Sequence, residues 1–384
     1  MAGEKRGVTD SSETTVLQFG TGRFLRAFAD LFAHELNASA QSSWSATRGT
    51  AVSIVAVQST GSGRAEQLRA TGGRYHVAVR GLRAGQTVDQ MVEVTSVHRA
   101  LAAQNDWEEI LQVARCESLA AIVSNTTEAG YTLDPAGGPA QSFPARLLAV
   151  LAARFEAGRP GVAVLPCELL ERNGHRLRRL VLRRAAEQRL PKPLIEWLDG
   201  ACTWHSTLVD RIVSAPRAGD PMAACDPLFA VAEPFALWLV EGLQPAPAFG
   251  SHAAVRSVED LRPYHLRKVR ILNGSHTALV AKALPLGFET VRQAVLDDQI
   301  GAWLRRLLAE EIVPTLEGRT DSPDIFAEEC LERFANPFLE HRLTDIALAH
   351  DAKLRTRLVP TWHDYRTRFG HSPPLLSQLL PGLV

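Results

Sequence analysis

The feature that most constrains this chain stands near its start, where Thr15-Val16-Leu17-Gln18-Phe19 reads as a short buried strand and runs into Gly20-Thr21-Gly22. From Arg23 onward Phe24, Leu25, Phe28, Leu31, Phe32 and Leu36 recur at spacings of three and four. That stripe predicts an amphipathic helix of about four turns. Residues 51–57, AVSIVAV, supply a second strand dense in β-branched side chains. Strand, glycine turn, helix and strand make a βαβ unit, which implies a parallel sheet with a right-handed crossover.

Further strand patterns cover residues 75–80, 88–97, 119–123 and 162–165, and helical patterns cover 105–113, 144–155 and the arginine-rich 176–188. The alternation predicts an α/β, doubly wound architecture. Beyond Gly250 strand signals fade, and helical segments are punctuated by Pro285, Pro314, Pro323, Pro337 and Pro360. A boundary is therefore expected at the Pro/Ala/Gly-rich stretch 244–250, dividing the chain into domains 14–250 and 251–384.

Charge and cysteine usage exclude several function classes. Lysine plus arginine number 42 and so do aspartate plus glutamate, so bulk charge gives no reason to expect a nucleic-acid partner. The amino terminus lacks an apolar stretch behind its charges, and the longest apolar tract, 227–243, is broken by Glu233, Pro234 and Glu241. Neither a signal peptide nor a membrane anchor is expected. Five scattered cysteines without a C-x-x-C pair suggest no disulfide framework and no cysteine zinc site, and fit a reducing cytoplasm.

The turn Gly20-Thr21-Gly22, with Arg23 and Phe24 opening the helix, lies where the diphosphate of a dinucleotide binds in a βαβ unit. Leu25 replaces the third glycine of the G-x-G-x-x-G pattern, so a plain strand-to-helix turn also fits. Its place as the first connection of the first βαβ unit favours a nucleotide. Gln58-Ser59-Thr60 occupies the end of the second strand, where an acid would select NAD, and Arg64 follows nearby. NAD is the expected cofactor, with NADP left open.

Chemistry is concentrated in Lys268-Val-Arg-Ile-Leu-Asn273-Gly-Ser-His276. On an α-helical wheel with Lys268 at zero, His276 falls at about 80° and Asn273 at about 140°. Val269, Leu272, Leu279 and Val280 share that arc, so the polar trio sits on an apolar face and burial without partners would be costly. Either core hydrogen bonds satisfy the trio, or it lines a cleft completed by substrate. In a cleft, a desolvated lysine becomes a usable general base, while the Asn273 amide and His276 imidazole hold the oxygen on which charge develops. That set suits hydride transfer at a secondary alcohol with a nicotinamide cofactor and no metal; no second histidine or acid follows at zinc-ligand spacing.

On these stretches the sequence resembles the long-chain polyol dehydrogenases of the mannitol dehydrogenase type. The resemblance runs through FGTGRFLRAF from Phe19, SNTTEAG from Ser124, LPCEL from Leu165 with Asn173-Gly174, TLVDRI from Thr207, Glu233-Pro-Phe, and the K-x4-N-x2-H element at Lys268. It implies a Rossmann-type domain followed by a mostly helical one, NAD(H) and metal-independent catalysis. It assigns Lys268 as the general base, and Asn273 and His276 to the reacting oxygen. It places Asn125, Thr126 and Glu128 beside the nicotinamide, has Asp210 support the lysine or the substrate, and makes Asn173 a second oxygen-binding amide. Within the family the likeness points to the members that interconvert a keto-uronate, D-tagaturonate, with its aldonate, D-altronate.

Cys167-Glu168-Leu169 stands where mannitol-specific members carry Cys-Asp-Asn, which weakens a polyol assignment. A uronate carboxylate calls for a further cation, and Arg342 is the candidate, with His341 behind it. The alternatives are a fructuronate/mannonate or mannitol-type polyol/ketose oxidoreductase, and, outside enzymes, a catalytically silent nucleotide-sensing protein. Oligomeric state is not encoded in any pattern recognised in the sequence.

Overall fold

The computed structural model describes residues 13–42, 51–126, 130–134, 141–217 and 219–384. The chain forms two compact units: the first holds residues 1–78, 91–230 and 236–259, and the second holds 79–90, 231–235 and 260–384. The strands are β1 (Glu13–Phe19), β2 (Ala51–Gln58), β3 (Tyr75–Arg83), β4 (Gln86–Val94), β5 (Val97–Ala102), β6 (Leu119–Ser124), β7 (Ala163–Pro166), β8 (Thr203–Trp204), β9 (Thr207–Asp210), β10 (Val213–Ser214), β11 (Ala230–Ala232), β12 (Leu237–Glu241) and β13 (Val255–Val258).

Six strands of the first unit form one sheet in the order β5-β2-β1-β6-β7-β8, and every pairing in it is parallel. This is a Rossmann-type sheet, whose strand order reverses between β1 and β6. At such a switch point successive crossovers leave in opposite directions and open a crevice over the carboxyl ends of the strands. Val16, Leu17, Phe19, Val57 and Val164 are fully buried, as a strand covered on both faces requires. Helices Trp107–Arg115, Phe143–Glu156 and Asn173–Glu187 supply one covering layer.

Three details depart from the sequence-based reading. The single helix expected from Arg23 is two, Arg23–Arg26 and Ala29–Ser42. At the break the Tyr75 hydroxyl approaches the carbonyl of Arg26 at 3.1 Å, and Arg211 Nη1 donates to that of Ala27 at 2.9 Å. Side chains thus serve carbonyls that a continuous helix would satisfy itself, a recognised cause of a kink. The strand expected over 88–97 is also two, β4 and β5, in different sheets; Ser96 lies at the break with its hydroxyl on the carbonyl of Asp30. The apolar tract 227–243 contains β11 and β12, and β12 pairs with β13 and β9 in a small sheet.

The second unit is dominated by helices around a core that includes Ile271, Leu279, Leu304, Ile312, Leu358 and Leu376. Three segments, Lys268–Asn273, Leu307–Ile312 and Leu354–Leu358, are wide π-helical turns. Glu233-Pro-Phe235 belongs to this unit: Arg333 binds both Glu233 carboxylate oxygens, at 3.0 and 2.7 Å, and stacks over the Phe235 ring at 4.2 Å. No helix among the described residues is long and apolar enough to cross a membrane, and among them no group of three or more His, Cys, Asp or Glu is placed to hold a metal ion.

Candidate active site

At the carboxyl edge of the parallel sheet, β1 runs into Gly20, whose amide donates to the carbonyl of Val57 at 2.9 Å. Gly20 has φ +132°, and a Cβ there would lie 3.2 Å from the Asn125 carbonyl and 3.0 Å from Leu25 Cδ1. Only glycine therefore lets β1, the loop after β6 and the following helix approach so closely. Leu25, which replaces the third glycine of the dinucleotide pattern, packs directly under the turn. Gly22 precedes the first helical residue, and Gly22 and Arg23 are exposed. Phe24 stacks on Phe28 with ring centroids 4.8 Å apart. The turn, its exposed amide edge and its place at the switch point fit a dinucleotide diphosphate.

Gln58 is committed elsewhere. Its Nε2 donates to the Thr60 carbonyl at 2.7 Å, and its Oε1 accepts from the amide of Ala65 at 2.8 Å, so it shapes the turn after β2. Arg64 is half-buried and donates to Gln67 Oε1 at 3.2 Å.

Across the switch point, Asn125 Nδ2 donates to the Cys167 carbonyl at 2.8 Å. Thr126 donates to Glu168 through both its amide, at 2.8 Å, and its hydroxyl, at 3.1 Å. Glu168 also receives the Ser124 hydroxyl at 3.1 Å and the Tyr131 hydroxyl at 3.0 Å. Burial pushes this carboxyl up while the hydrogen bonds pull it down. Glu168 is thus the hub that ties the loop after β6 to the end of β7, a role that the sequence signalled only as a departure from Cys-Asp-Asn. Glu128 lies outside the described residues.

Asn173 corrects an expectation. It is fully buried, with Nδ2 facing the carbonyls of Pro166, Glu168 and Thr207 at 3.0 to 3.1 Å and Oδ1 accepting from the amides of Gly174 and Thr207 at 2.8 Å. An amide with two donor hydrogens and two lone pairs has nothing left for a substrate. Asn173 fastens the start of its helix to β7 and β9. Asp210 closes β9 in register with Leu237 and is buried.

In the second unit Lys268 and Asn273 open and close one wide turn. Hydrogen bonding from i to i+5 brings the fifth residue round over the first, so the two lie closer to one face than on an α-helical wheel. Arg270 anchors this turn through Thr361 Oγ1 at 2.7 Å and Asp364 at 3.0 Å. His276 follows on the helix Gly274–Ala283, 7% exposed, packed on Phe334 and meeting His341 edge-on at 4.3 and 4.7 Å between ring centroids. Its Nε2 is buried without a hydrogen-bond partner among the described residues. Burial, then the charges of His341, Arg333, Arg357 and Lys353, push its pKa well below the ordinary histidine value, so the ring is neutral at neutral pH. Such a nitrogen costs stability unless something answers it.

Arg342 lies at the surface. It is largely exposed and its guanidinium is held by Glu340 at 2.7 Å, an ordinary surface pair. The cations whose fields reach His276 are instead Arg333, already matched by Glu233, together with Lys353 and Arg357. Lys353 and Arg357 stand four residues apart, and Arg357 Nη1 donates to Thr277 Oγ1, one residue from His276, at 3.2 Å.

Comparisons with known proteins agree with this architecture. Residues 14–248 match the mannitol dehydrogenase Rossmann domain, and residues 260–382 match the mannitol dehydrogenase C-terminal domain. The altronate oxidoreductase of Halalkalibacterium halodurans is 37% identical, with 96% of this chain and 74% of that protein covered. That of Bacillus subtilis is 35% identical, covering 94% of this chain and 77% of the relative. Among solved structures, the mannitol 2-dehydrogenase of Pseudomonas fluorescens, in ternary complex with NAD and D-mannitol, superposes with a TM-score of 0.77 at 20% identity, covering 97% of this chain and 79% of the other. A substrate-free D-sorbitol dehydrogenase gives a TM-score of 0.76 at 22% identity over 92% and 78% of the two chains. The chain belongs to the mannitol dehydrogenase family.

Proposed function

We propose that this chain is an NAD-dependent oxidoreductase that interconverts D-tagaturonate and D-altronate. The observation that carries the reading is the His276 Nε2, buried and unanswered, on the helix that continues the Lys268–Asn273 turn, in a chain that aligns over most of its length with altronate oxidoreductases. The Gly20-Thr21-Gly22 turn would hold the diphosphate of a nicotinamide dinucleotide, which would supply hydride chemistry at the carbinol carbon when bound.

The protein's own groups handle the oxygen and its proton. In the reducing direction the Lys268 ammonium gives its proton to the ketone oxygen as it becomes a hydroxyl, and the neutral amine recovers one from solvent. In the oxidising direction the amine removes the hydroxyl proton. An Asn273 N–H and the His276 Nε2–H tautomer hold the same oxygen while charge accumulates on it. Neutral His276 suits this work, because an imidazolium would compete with Lys268 as proton donor. The carboxylate of a uronate is read by Arg357 and Lys353, whose positive charges already bear on His276.

The test is a purified-protein assay of NADH and NADPH oxidation against D-tagaturonate, D-fructuronate and D-fructose. Turnover should be fastest with NADH and D-tagaturonate. Turnover with none of the three overturns the enzyme reading, and preference for D-fructose removes the carboxylate from it.

A further inference from the structure

Behind the glycine turn lies a set of buried polar side chains outside the catalytic trio. Arg26 is 1% exposed; its Nη1 donates to the Thr21 carbonyl at 2.5 Å, and its Nε and Nη2 to that of Leu228 at 3.2 and 3.0 Å. Asp30, four residues on, is equally buried. Its Oδ2 lies 2.8 Å from the Tyr75 hydroxyl, and its Oδ1 has no partner among the described residues. The same hydroxyl lies 3.1 Å from the carbonyl of Arg26. Gln18 on β1 is the other neutral side chain acting on the carboxyl, and its Nε2 donates to the Gly20 carbonyl at 3.1 Å.

A phenol has one hydrogen, and this one faces two acceptors. Both are satisfied if Asp30 carries a proton and donates it to the phenol oxygen, freeing the phenol hydrogen for the Arg26 carbonyl. An ionised Asp30 would take that hydrogen from the Arg26 carbonyl and put a negative charge in the core. The energetics agree with the hydrogen count. Burial pushes the carboxyl up to about 7, against the downward pull of Tyr75, Gln18 and Arg26. The Arg26 guanidinium, lowered by burial to about 10, stays charged at neutral pH. The other charges acting on this set are Arg23 and Arg64 on Arg26, and Asp226 on Tyr75.

We propose that Asp30 is a proton-linked control on cofactor binding: when protonated it leaves the Arg26 charge to act through Thr21 on a dinucleotide diphosphate at the Gly20-Thr21-Gly22 turn, and when ionised it cancels that charge. The proposal rests on the dinucleotide reading of the turn. Coupling between two binding events is reciprocal. An anion seated on the turn strengthens the hold of Asp30 on its proton, so cofactor binding takes up protons in the window where the free protein has begun to lose them.

The experiment is calorimetric titration of NADH onto the full chain between about pH 6 and pH 8.5, in buffers of different ionisation heat, so that affinity and proton uptake are read together. The wild-type Kd should rise about fivefold across that range, with net proton uptake near the middle of it. Asp30→Asn, a neutral isostere, should bind with the affinity seen at low pH, show no pH dependence and take up no proton. Gln18→Leu removes a side chain that favours the carboxylate and should move the inflection to higher pH, which keeps the idea testable if Asp30→Asn does not fold. A flat wild-type profile without proton uptake overturns the proposal, as does an Asp30→Asn profile matching wild type. Absence of NADH binding at every pH removes the proposal together with the nicotinamide reading; binding without proton uptake removes the proposal alone.

Discussion

The carboxyl edge of the parallel sheet and the wide turn of the second unit treat polar side chains in opposite ways. At the sheet edge Asn125, Thr126, Glu168 and Asn173 are satisfied by one another and by backbone groups. At the wide turn His276 Nε2 and Ser275 Oγ are buried without a partner among the described residues. A satisfied network fixes backbone shape, whereas an unanswered buried nitrogen is a standing cost that a ligand can relieve. Substitutions at the edge should therefore damage the fold first, and substitutions at the turn should damage the chemistry first.

The sharpest attempt to break this comparison is Lys268→Ala. If the lysine carries the proton, kcat should fall by about 10³-fold with little change in NADH affinity, measured by steady-state assay and fluorescence titration; near-normal kcat would end the mechanism. His276→Leu should cost about 10²-fold in kcat, while thermal stability holds or rises because an unanswered polar group leaves the core. The pH dependence has a defined sign. A histidine whose folded pKa lies below the unfolded value near 6.5 favours folding above that value, and the contribution is lost as pH falls through it. Wild type should therefore lose melting temperature between about pH 7 and pH 5, and His276→Leu should lose less.

Glu168→Ala tests the other side. Ser124, Thr126 and Tyr131 would each lose an acceptor, at a combined cost of about 3 kcal/mol. A lowered melting temperature with a near-normal kcat in the surviving folded fraction is expected. A collapse of kcat at unchanged stability would erase the distinction between the two regions.

The same contrast explains how much was legible in the sequence. The strand-turn-helix start, the parallel sheet and the helical second half follow from periodicity and glycine placement, which are local. The K-x4-N-x2-H spacing predicts a shared face from α-helical angles, and a π turn stands where those angles assume an α-helix. Asn173 was misread because its partners Pro166, Thr207 and Glu168 are assembled only by the fold, and in the sequence an asparagine that binds backbone looks like one that binds sugar. Short strands such as β9 and β12 were missed because runs of four and five residues carry little periodicity and are held by their neighbours in the sheet. Arg342 shows a related point: a charge in the sequence does not reveal that Glu340 pairs with it at the surface.

That pair leads to the smallest effect, and the one that sharpens the comparison most. Arg342→Gln should leave the KM for D-tagaturonate nearly unchanged, because its guanidinium is exposed and already paired with Glu340. Arg357→Gln should raise that KM about tenfold with kcat nearly intact, since a charge-assisted contact to a carboxylate made equally in ground and transition states is lost as binding, not as rate. Neutral ketoses should bind to wild type and to Arg357→Gln alike, since they offer no carboxylate. If Arg342→Gln raises the KM and Arg357→Gln does not, the carboxylate reaches past His276 to the exposed rim. The unanswered turn would then be only part of the substrate site.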